Sequence, residues 1–501
     1  MPKWQRCATT LLGLALLGSA ATAAQDYLDL KNRVSRHTLP NGLRVLILER
    51  HDAPVVSFVT WADVGAVHEV KGITGISHIF EHLAFKGTRS VGTRDLAAEL
   101  EAMAAEDTTF YAWRHEYLKG ALADTVRMRA LEQAHQRAVE EARQYAVSGE
   151  FTQAITQAGG TGLNAGTGYD ETVYVCNLPS NKIELWMSLE SERFLHPVLR
   201  EFYTEKQVIM EERRMRTESQ PVGKLLEEFL TTAFKAHPYG EPVIGHMSDI
   251  QATGRQEAAD YFRTHYIPAN LVLAIVGDVV TADVVNMVDT YWGRLPGGAK
   301  PRPVVTVEPP QLGQKRIEVE DAMQPLLLIG YHRPDVYSVD AAVLSAIADI
   351  LAGGRSSRLY EALVKEQQIA LHVGAIPGWM EKYPGLYLFY AFPSQGHTTR
   401  ECEEAILAEI EKIKQEPVTE EEVAAVKTRA RAAFLSGLAS NAGIAEQLAR
   451  AESRFGDYRE MFREVPKIEA VQAADIQRVA NKIFVKRNST VAVIVPPAKA
   501  D

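Results

Sequence analysis

The sequence predicts an α+β protein with at least two domains, and three observations support this fold class. The 501 residues are more than one ordinary hydrophobic core can organise. Segments rich in β-branched residues are interspersed with segments whose apolar residues recur at helical spacing. A helix followed by an apolar strand occurs near residues 261–277 and again near 476–495, with Asn270 and Asn488 aligned at an offset of 218 residues (488 − 270). This recurrence indicates internal duplication.

The domain boundaries follow from composition. Residues 296–316 form the best Pro/Gly-rich linker, and they separate an N-terminal domain of residues 25–295 from a C-terminal domain of residues 317–501. Residues 1–24 combine a basic start, a short apolar run and small residues, which predicts a cleavable secretory signal. An uncleaved anchor is the alternative, although the run is too short to span a bilayer comfortably. No later stretch is apolar enough for a transmembrane segment, so we expect an exported protein.

Charge and cysteine content exclude some classes of function. The net charge of −10 argues against nucleic-acid binding, which needs a basic face. Beyond the signal, two cysteines remain, Cys176 and Cys402. They are far apart in sequence and lack metal-ligand spacing, so we expect buried thiols rather than a disulfide framework.

The first third of the chain alternates between strand and helix patterns. A turn signal followed by a β-rich run predicts a hairpin at residues 38–48, and a second strand covers 55–61. After the motif described below, a helix is expected at 94–105, and residues 106–157 are interpreted as an inserted helical hairpin. Its aromatic residues either pack onto the main body or contact a ligand; they are Phe110, Tyr111, Trp113 and Tyr117.

The central motif has the form H-x-x-E-H and contains His78, Glu81 and His82. Residues four apart on a helix lie about one turn above each other, so both histidines can reach one metal ion. Glu81 projects beside the pair, where its carboxylate could accept a proton from a water. This is the inverted zincin pattern. Paired histidines can also be ordinary surface residues, so the rest of the chain must supply a third ligand.

Two later segments are candidates to complete such a site. Residues 159–175 are glycine-rich and then strand-like, which is typical either of a strand that another backbone approaches closely or of a loop feeding an ordinary strand. Residues 202–214 predict a helix on which Glu205 and Glu212, seven apart, share one face. Val208 and Ile209 form an apolar flank that is expected to bury this helix against the histidine helix. Such carboxylates are otherwise usually solvated.

With these residues the chain resembles the pitrilysin/insulinase/mitochondrial-processing-peptidase family of zinc peptidases. The resemblance covers nearly the whole mature chain and rests on six segments: residues 78–88, 164–174, 205–214, 237–240, 276–278 and 357–359. It implies two homologous lobes, each a mixed or antiparallel β-sheet covered by helices. The separation of His82 and Glu212, 130 residues (212 − 82), is longer than this family usually shows, and the 106–157 insertion in the first lobe accounts for the excess.

The resemblance also assigns the site residues. It implies that His78, His82 and Glu212 bind one Zn²⁺ per chain. Glu81 would be the general base, and Glu205 would be a supporting acid of the catalytic machinery. The segment at Asn164 and Ala165 resembles the edge strand on which family members align a substrate peptide by β-augmentation. A His/His/Glu set favours zinc, although the spacing alone does not exclude manganese or cobalt.

The function implied is that of a periplasmic zinc endopeptidase acting on peptides or unfolded protein segments inside a clamshell of two chains. A non-catalytic structural or assembly subunit of the same fold is the alternative, since some family members are of that kind. A metal-binding export protein without hydrolytic activity is a third possibility, supported by the motif alone.

One departure from the family pattern bears on partners. The second-lobe helix of active family complexes often carries an Arg and, seven residues later, a Tyr that help to hold the substrate carbonyl. Alignment on residues 357–361 places Val364 and Leu371 at these positions, and neither side chain can donate a hydrogen bond. We therefore expect a homologous partner subunit in a heterodimer. A homodimer with weak or altered activity is the alternative.

Overall fold

The computed structural model describes residues 30–322 and 324–495, and it contains two β-sheets with helices packed against them. The first sheet is built from strands before residue 280 and the second from strands after residue 314. The two-lobed α+β fold predicted from the sequence is confirmed. The predicted signal at residues 1–24 lies outside the described residues.

The first sheet has six strands in the order β1-β2-β6-β3-β5-β4. β2 and β6 run parallel, and the other neighbours run antiparallel. The predicted hairpin and second strand are present as β1 to β3. The strands are β1 (Ser35–Thr38), β2 (Arg44–Glu49), β3 (Val55–Ala62), β4 (Thr161–Thr167), β5 (Thr172–Pro179) and β6 (Leu271–Gly277).

The second sheet has five strands in the order β7-β11-β8-β10-β9. β7 and β11 run parallel and the other neighbours antiparallel, which repeats the pattern of β2-β6-β3-β5-β4 in the first sheet. The strands are β7 (Lys315–Glu320), β8 (Leu327–His332), β9 (Ala370–Ile376), β10 (Leu386–Pro393) and β11 (Ser489–Val495).

The helices divide between the two halves of the chain. The first half contains α1 (Ile76–Leu83), α2 (Leu96–Tyr117), α3 (Thr125–Arg143), α4 (Glu150–Gln157), α5 (Ile183–Leu195), α6 (Phe202–Arg213), α7 (Pro221–Ala233), α8 (Met247–Ala252), α9 (Arg255–His265) and α10 (Thr281–Trp292). The second half contains α11 (Ala341–Ala352), α12 (Thr399–Gln415), α13 (Glu420–Gly437), α14 (Asn441–Phe455), α15 (Glu464–Glu469) and α16 (Ala473–Ile483). Residues Arg214–Glu218 and Tyr360–Glu366 form π-helical turns.

The two asparagines that align in the sequence repeat make equivalent hydrogen bonds in the two lobes. Asn270 Nδ2 donates to the carbonyl of His265 at 3.0 Å and to that of Asp63, just beyond β3, at 3.0 Å. Asn488 Nδ2 donates to the carbonyl of Ile483 at 3.0 Å and to that of His332, at the end of β8, at 2.8 Å. Each asparagine joins the end of a helix to the end of a neighbouring strand. The two lobes therefore share this hydrogen-bonding pattern as well as the sequence repeat.

Each lobe contributes one helix that packs against the sheet of the other lobe. α14 of the second half covers the first sheet, where Ile444 and Leu448 pack in one cluster with Trp61. α7 of the first half covers the second sheet, where the Phe229 ring lies over Gly330. A Cβ at position 330 would lie 2.5 Å from that ring, so only glycine permits this close approach. The exchange ties the lobes through apolar packing.

The helical insertion differs from its prediction at one point. Two separate helices were expected to meet near residue 105, whereas α2 runs unbroken across this position. Thr108 and Thr109 bond back to carbonyls one turn earlier (2.9 and 3.0 Å), so their hydroxyls are satisfied within the helix. Two roles were considered for the aromatic residues, packing onto the main body and contact with a ligand. Phe110 packs onto the main body, because it is 2% exposed and lies against Tyr203 of α6.

Two further expectations concern cysteines and membrane segments. Cys176 and Cys402 are both free and buried, as predicted. Across residues 30–322 and 324–495, no helix is both long and apolar enough to cross a bilayer. Residues 296–314 contain neither helix nor strand, and the domain division at 296–316 stays a prediction.

Candidate metal centre

The histidine helix α1 is fixed at its start by a buried carboxylate. Gly75 precedes the helix with a φ of +86°, a conformation that favours glycine. Glu69 accepts hydrogen bonds from the backbone N–H groups of Gly75 (2.6 Å) and Ser77 (2.8 Å). Ile79 and Phe80 are 0% and 3% exposed, so the core holds one face of the helix as predicted. The histidines lie on the opposite face.

The structure brings together the three residues predicted to bind metal. Nε2 of His78 lies 3.8 Å and Nε2 of His82 lies 3.5 Å from the same oxygen, Oε2 of Glu212. The ligand atoms of the three side chains all lie within 4.8 Å of one another. Glu212 reaches this position from α6, and its second oxygen pairs with Arg216.

This donor set fits a zinc ion. Metal–ligand bonds of about 2.0–2.2 Å in a tetrahedral site place ligand atoms about 3.3–3.5 Å apart, close to the observed separations. His78 Nδ1 is buried without a hydrogen-bond partner, and its Nε2 lies beyond hydrogen-bond distance from Glu212. Nε2 faces Glu212 across this gap, so it is the nitrogen that a metal ion between the two side chains would bind.

Glu81 lies on the same helix as the two histidines, and its charge helps to raise the pKa of His82. The side chain is half-buried. Within the described residues, no hydrogen bond or ion pair occupies its oxygens. A carboxylate in this setting can accept a proton from a water held at the cluster and later return it.

Glu205 acts on the cluster through His82. Its Oε2 lies 3.2 Å from His82 Nδ1, and its Oε1 lies 2.5 Å from Lys86 Nζ. Lys86 Nζ also lies 3.1 Å from Glu201 Oε2. Glu205 therefore accepts the imidazole N–H and fixes the tautomer that leaves Nε2 as a ligand, which makes it a positioning residue in this geometry.

The surroundings shift the pKa values of the two histidines in opposite directions. Burial, with a further contribution from His82, lowers the pKa of His78 to about 4, so this imidazole is neutral at physiological pH. Burial alone would lower the pKa of His82, but the carboxylates of Glu205, Glu212 and Glu81 outweigh it and raise that pKa. Burial raises the pKa of Glu205, but the hydrogen bonds from His82 and Lys86 outweigh burial and lower it.

The packing of α6 corrects one detail of the sequence analysis. Ile209 is fully buried, as expected, but Val208 is 47% exposed, so it does not help to bury the helix. The reason is helical geometry: adjacent residues lie about 100° apart around the axis, so both cannot face α1. Lys206, 3% exposed, takes part in the anchoring, because its ammonium donates to the carbonyls of Gln251 (3.1 Å) and Thr253 (2.5 Å).

Asn164 and Ala165 lie in β4, which is the edge strand of the first sheet. They pair with Val175 and Tyr174 of β5 on one side, and the other side of β4 carries no strand among the described residues. α1 packs beside β4. The glycine-rich segment therefore forms a strand rather than a loop, and its free edge lies near the histidine helix.

Two neighbours of the site were not found by sequence reasoning. Lys86 follows His82 by four residues, and that helical spacing was an available signal. Arg216 follows Glu212 by four residues and gave the same signal. Arg216 also lines a cavity of about 480 Å³ between the lobes, walled by Glu227 and Leu230 of α7 and by Trp379 and Arg454 of the second half.

Val364 and Leu371 do not share a helix, contrary to expectation. Val364 lies in the π-helical turn Tyr360–Glu366, and Leu371 lies in β9 with 62% of its surface exposed. Gln368 lies between them in the left-handed conformation, with a φ of 55°. Neither side chain offers a hydrogen-bond donor, as the sequence indicated.

Comparison with known families identifies the fold. A family sequence model described as "Insulinase (Peptidase family M16)" matches residues 44–125 and 137–246, and one described as "Peptidase M16 inactive domain" matches residues 254–430. Together these matches span well over half of the chain. The chain belongs to the M16 (insulinase) family of peptidases. The M16 match confirms the predicted family and assigns the chain, at the level of the family, to peptidase-type hydrolases.

Individual M16 relatives match along nearly the whole chain. The chain is 26% identical over 496 residues to the zinc protease PqqE of Helicobacter pylori, covering 96% of each chain. A crystal structure of a protease from Helicobacter pylori matches with a TM-score of 0.77 and 25% identity, over 92% of this chain and 99% of that one. The first half of the periplasmic protease PqqL of Escherichia coli matches with a TM-score of 0.67 and 16% identity, over 93% and 92%, which shows the fold alone.

Proposed function

We propose that this M16 chain is an exported zinc endopeptidase that hydrolyses peptides or unfolded protein segments as the catalytic subunit of a dimer. The observation that carries the proposal is the cluster of His78, His82 and Glu212, with Glu81 on the same helix and close enough to His82 to influence its pKa. Three protein ligands leave a fourth position open, which is typical of catalytic rather than structural zinc sites.

The chain's own residues divide the chemistry among them. His78, His82 and Glu212 would hold the ion. Bound zinc supplies a Lewis acid that polarises the scissile carbonyl and lowers the pKa of water. Glu81 accepts the proton of the attacking water on its carboxylate and delivers it to the amine that leaves. Glu205 keeps the His82 ring oriented throughout, because its Oε2 bonds to Nδ1 on the side away from the cluster.

The metal requirement is tested by removing and restoring zinc. Dialysis of the chain, purified together with a co-expressed homologous partner, against a chelator should abolish cleavage of quenched fluorescent peptides, and about one equivalent of Zn²⁺ per metal-binding chain should restore it. Manganese and cobalt are tested in parallel, since the ligand set favours zinc without excluding them. Undiminished cleavage after the metal has been removed would contradict the proposal.

The free edge of β4 is proposed to bind the substrate backbone. An extended peptide that adds to a sheet edge is held by main-chain hydrogen bonds from alternate residues. Asn164 and Ala165 lie on this edge, next to α1, so a peptide paired there would pass the metal cluster. Backbone pairing also explains how one site could accept varied sequences.

Methylation of a backbone amide nitrogen in the substrate should therefore raise KM at every second position. In a series of peptides methylated at one backbone nitrogen each, alternate positions should raise KM by about tenfold, the effect of losing one well-placed hydrogen bond. The intervening positions, whose N–H groups point away from β4, should change KM little. Steady-state kinetics measure the series, and equal effects at all positions would rule out strand addition.

Lys86 and Glu205 are proposed to set the metal affinity. Replacing either one removes the chain of contacts that orients His82, so Lys86→Met and Glu205→Gln should each weaken zinc binding by about 10- to 100-fold. Competition with a chromophoric chelator measures the affinity independently of activity. Lys86→Arg should restore most of it. Lys365→Met, which breaks an exposed contact to Glu361 in the second lobe, is the matched control; a similar loss there would contradict the assignment.

The partner is proposed from what the second lobe lacks. Val364 and Leu371 leave no side-chain donor for the substrate carbonyl at the two positions expected to supply one, so we expect a homologous subunit without the metal motif to provide Arg and Tyr. A homodimer with weaker activity remains the alternative. A non-catalytic assembly role is the second candidate function, and it is favoured by the same two residues. Full turnover by the purified chain alone would contradict the need for a partner.

Export is proposed from residues 1–24, whose pattern is typical of a cleavable signal. A periplasmic location follows for a bacterial chain of this kind. N-terminal sequencing of the protein recovered from a periplasmic fraction would test it, with a start near residue 25 as the expected result. Recovery of the full-length chain from membranes would favour an uncleaved anchor.

A further inference from the structure

A second cavity lies beneath the inter-lobe segment and has no part in the metal cluster. Its walls are the end of α5, the second half of α9 and residues 295–302 of the linker region, and its volume is about 960 Å³. We call it the linker cavity. Pockets that bind small molecules typically enclose about 300–1,000 Å³, so its size suits a ligand of moderate size.

The floor of the linker cavity is apolar. Phe194, Phe262, Tyr266 and Leu295 line it and are 6%, 9%, 2% and 3% exposed. The rings of Phe262 and Tyr266 also pack against Phe80 of α1, with centroids 5.2 and 5.3 Å away. The floor therefore belongs to the firm core behind the histidine helix, and it offers an apolar body a preformed surface.

The charged residues of the linker cavity are all cationic. They are Arg89, Arg263, Lys300 and Arg302, and no Asp or Glu lines the cavity. In a chain with 64 acidic and 54 basic residues, an even mixture would place carboxylates among them. Arg263 pairs with Asp260, but within the described residues Arg89 and Arg302 have no ion pair and no side-chain hydrogen bond. Their guanidinium groups remain available to an anion.

We propose that the linker cavity binds a small anionic amphiphile, with a carboxylate or phosphate head bonded by Arg89 and Arg302 and an apolar body on the aromatic floor. Guanidinium groups bind both kinds of head through charge-assisted hydrogen bonds. A purely apolar ligand would leave the cations unpaired, and a purely polar anion would leave the floor unfilled. A ligand that has both an anionic head and an apolar body matches the cations and the aromatic floor together.

The glycine at 298 provides a way to fill the cavity without disturbing the fold. Gly298 lines it, and its φ lies outside the left-handed region. A Cβ at this position would meet its nearest neighbour, the side chain of Ile267, at 3.4 Å, which is ordinary contact. Gly298→Phe should therefore place a ring in the cavity while the linker keeps its conformation.

The experiment is calorimetric titration of the full mature chain with decanoate, with decyl phosphate to compare the head groups and with decanol as a neutral analogue. Both anions should bind, and decanol should bind at least tenfold more weakly. The double variant Arg89→Gln/Arg302→Gln should weaken decanoate binding at least tenfold, and Gly298→Phe should abolish it. Arg294→Gln is the matched control, because Arg294 bonds to Glu192 outside the cavity.

Thermal melting of each variant verifies that it is folded. The proposal is overturned if neither anion binds, if decanol binds as tightly as decanoate, or if the double variant and Gly298→Phe bind as the unmodified chain does. A preference for decanoate over decyl phosphate assigns the head group as carboxylate, and the reverse preference assigns it as phosphate; either result supports the site. None of these readouts depends on peptidase activity.

Discussion

Replacing Glu81 by Gln is expected to lower kcat for peptide hydrolysis by at least a hundredfold, while zinc content and thermal stability stay unchanged. The amide has nearly the shape of the carboxylate but cannot accept the proton of the attacking water, and general-base catalysis contributes about 10²- to 10⁴-fold. No hydrogen bond or ion pair of the described residues depends on Glu81, so the fold should tolerate the change. Steady-state kinetics on a quenched peptide measure it.

The matched control for this variant is Glu211→Gln. Glu211 lies beside the metal-cluster residue Glu212 in sequence, but its side chain is 60% exposed, and its one ion pair within the described residues is with Arg214. Surface pairs of this kind contribute little to stability. We expect kcat within about twofold of that of the unmodified chain. A Glu81→Gln variant that keeps more than a tenth of the original kcat would contradict the proposal that Glu81 is the general base.

Glu212→Gln is expected to weaken zinc binding by about a thousandfold or more. The change removes the anionic ligand of the cluster and leaves His78 and His82 as the only protein donors, and two donors do not make a catalytic zinc shell. Zinc should therefore raise the melting temperature of the unmodified chain, because the metal binds the folded state, and should leave that of Glu212→Gln unchanged. Differential scanning calorimetry with and without added zinc measures both.

Glu211→Gln again serves as the control, and it should keep the zinc-induced rise in melting temperature. Equal rises in Glu212→Gln and in the unmodified chain would show that the ion is held elsewhere. Loss of the rise in both variants would point to a general disturbance of α6 rather than to loss of a ligand.

The geometry of the candidate metal site was largely predictable because most of it is local. His78, Glu81 and His82 lie within five residues of one helix, and helical spacing alone directs them to one side. Glu212 is 130 residues from His82, and no periodicity connects the two; the resemblance to a family selected it. The structure then brought Glu212 Oε2 to 3.5 Å from His82 Nε2.

Features that depend on tertiary packing were not predictable in the same way. α7 and α14 each pack against the sheet of the other lobe. The apolar spacing of a helix predicts that one of its faces is buried, but it does not predict which sheet that face packs against. Val208 and Ile209 are both apolar, and only packing shows that Ile209 is buried while Val208 is exposed. The repeat at Asn270 and Asn488 did predict a tertiary feature, the duplication of the lobe. The same asparagine makes equivalent hydrogen bonds in each lobe, so the residue recurs at the equivalent position of the sequence.

The linker cavity illustrates the same limit. Its four cations come from three separate segments of the chain, at Arg89, at Arg263 and at Lys300 with Arg302, so no run of basic residues marks it. The segment at 296–316 was identified from its proline and glycine content as a linker, and composition of that kind predicts a connection but not what the connection covers.

The central claim is that zinc held by His78, His82 and Glu212 carries out peptide hydrolysis, and one measurement tests it most directly. Metal content and cleavage of a quenched peptide library should be determined together for the mature chain, with and without a co-expressed homologue that lacks the metal motif. We predict about one zinc per chain, with cleavage that requires the homologue and disappears in Glu81→Gln. Bound zinc without cleavage in any pairing would contradict the claim and favour a non-catalytic assembly subunit.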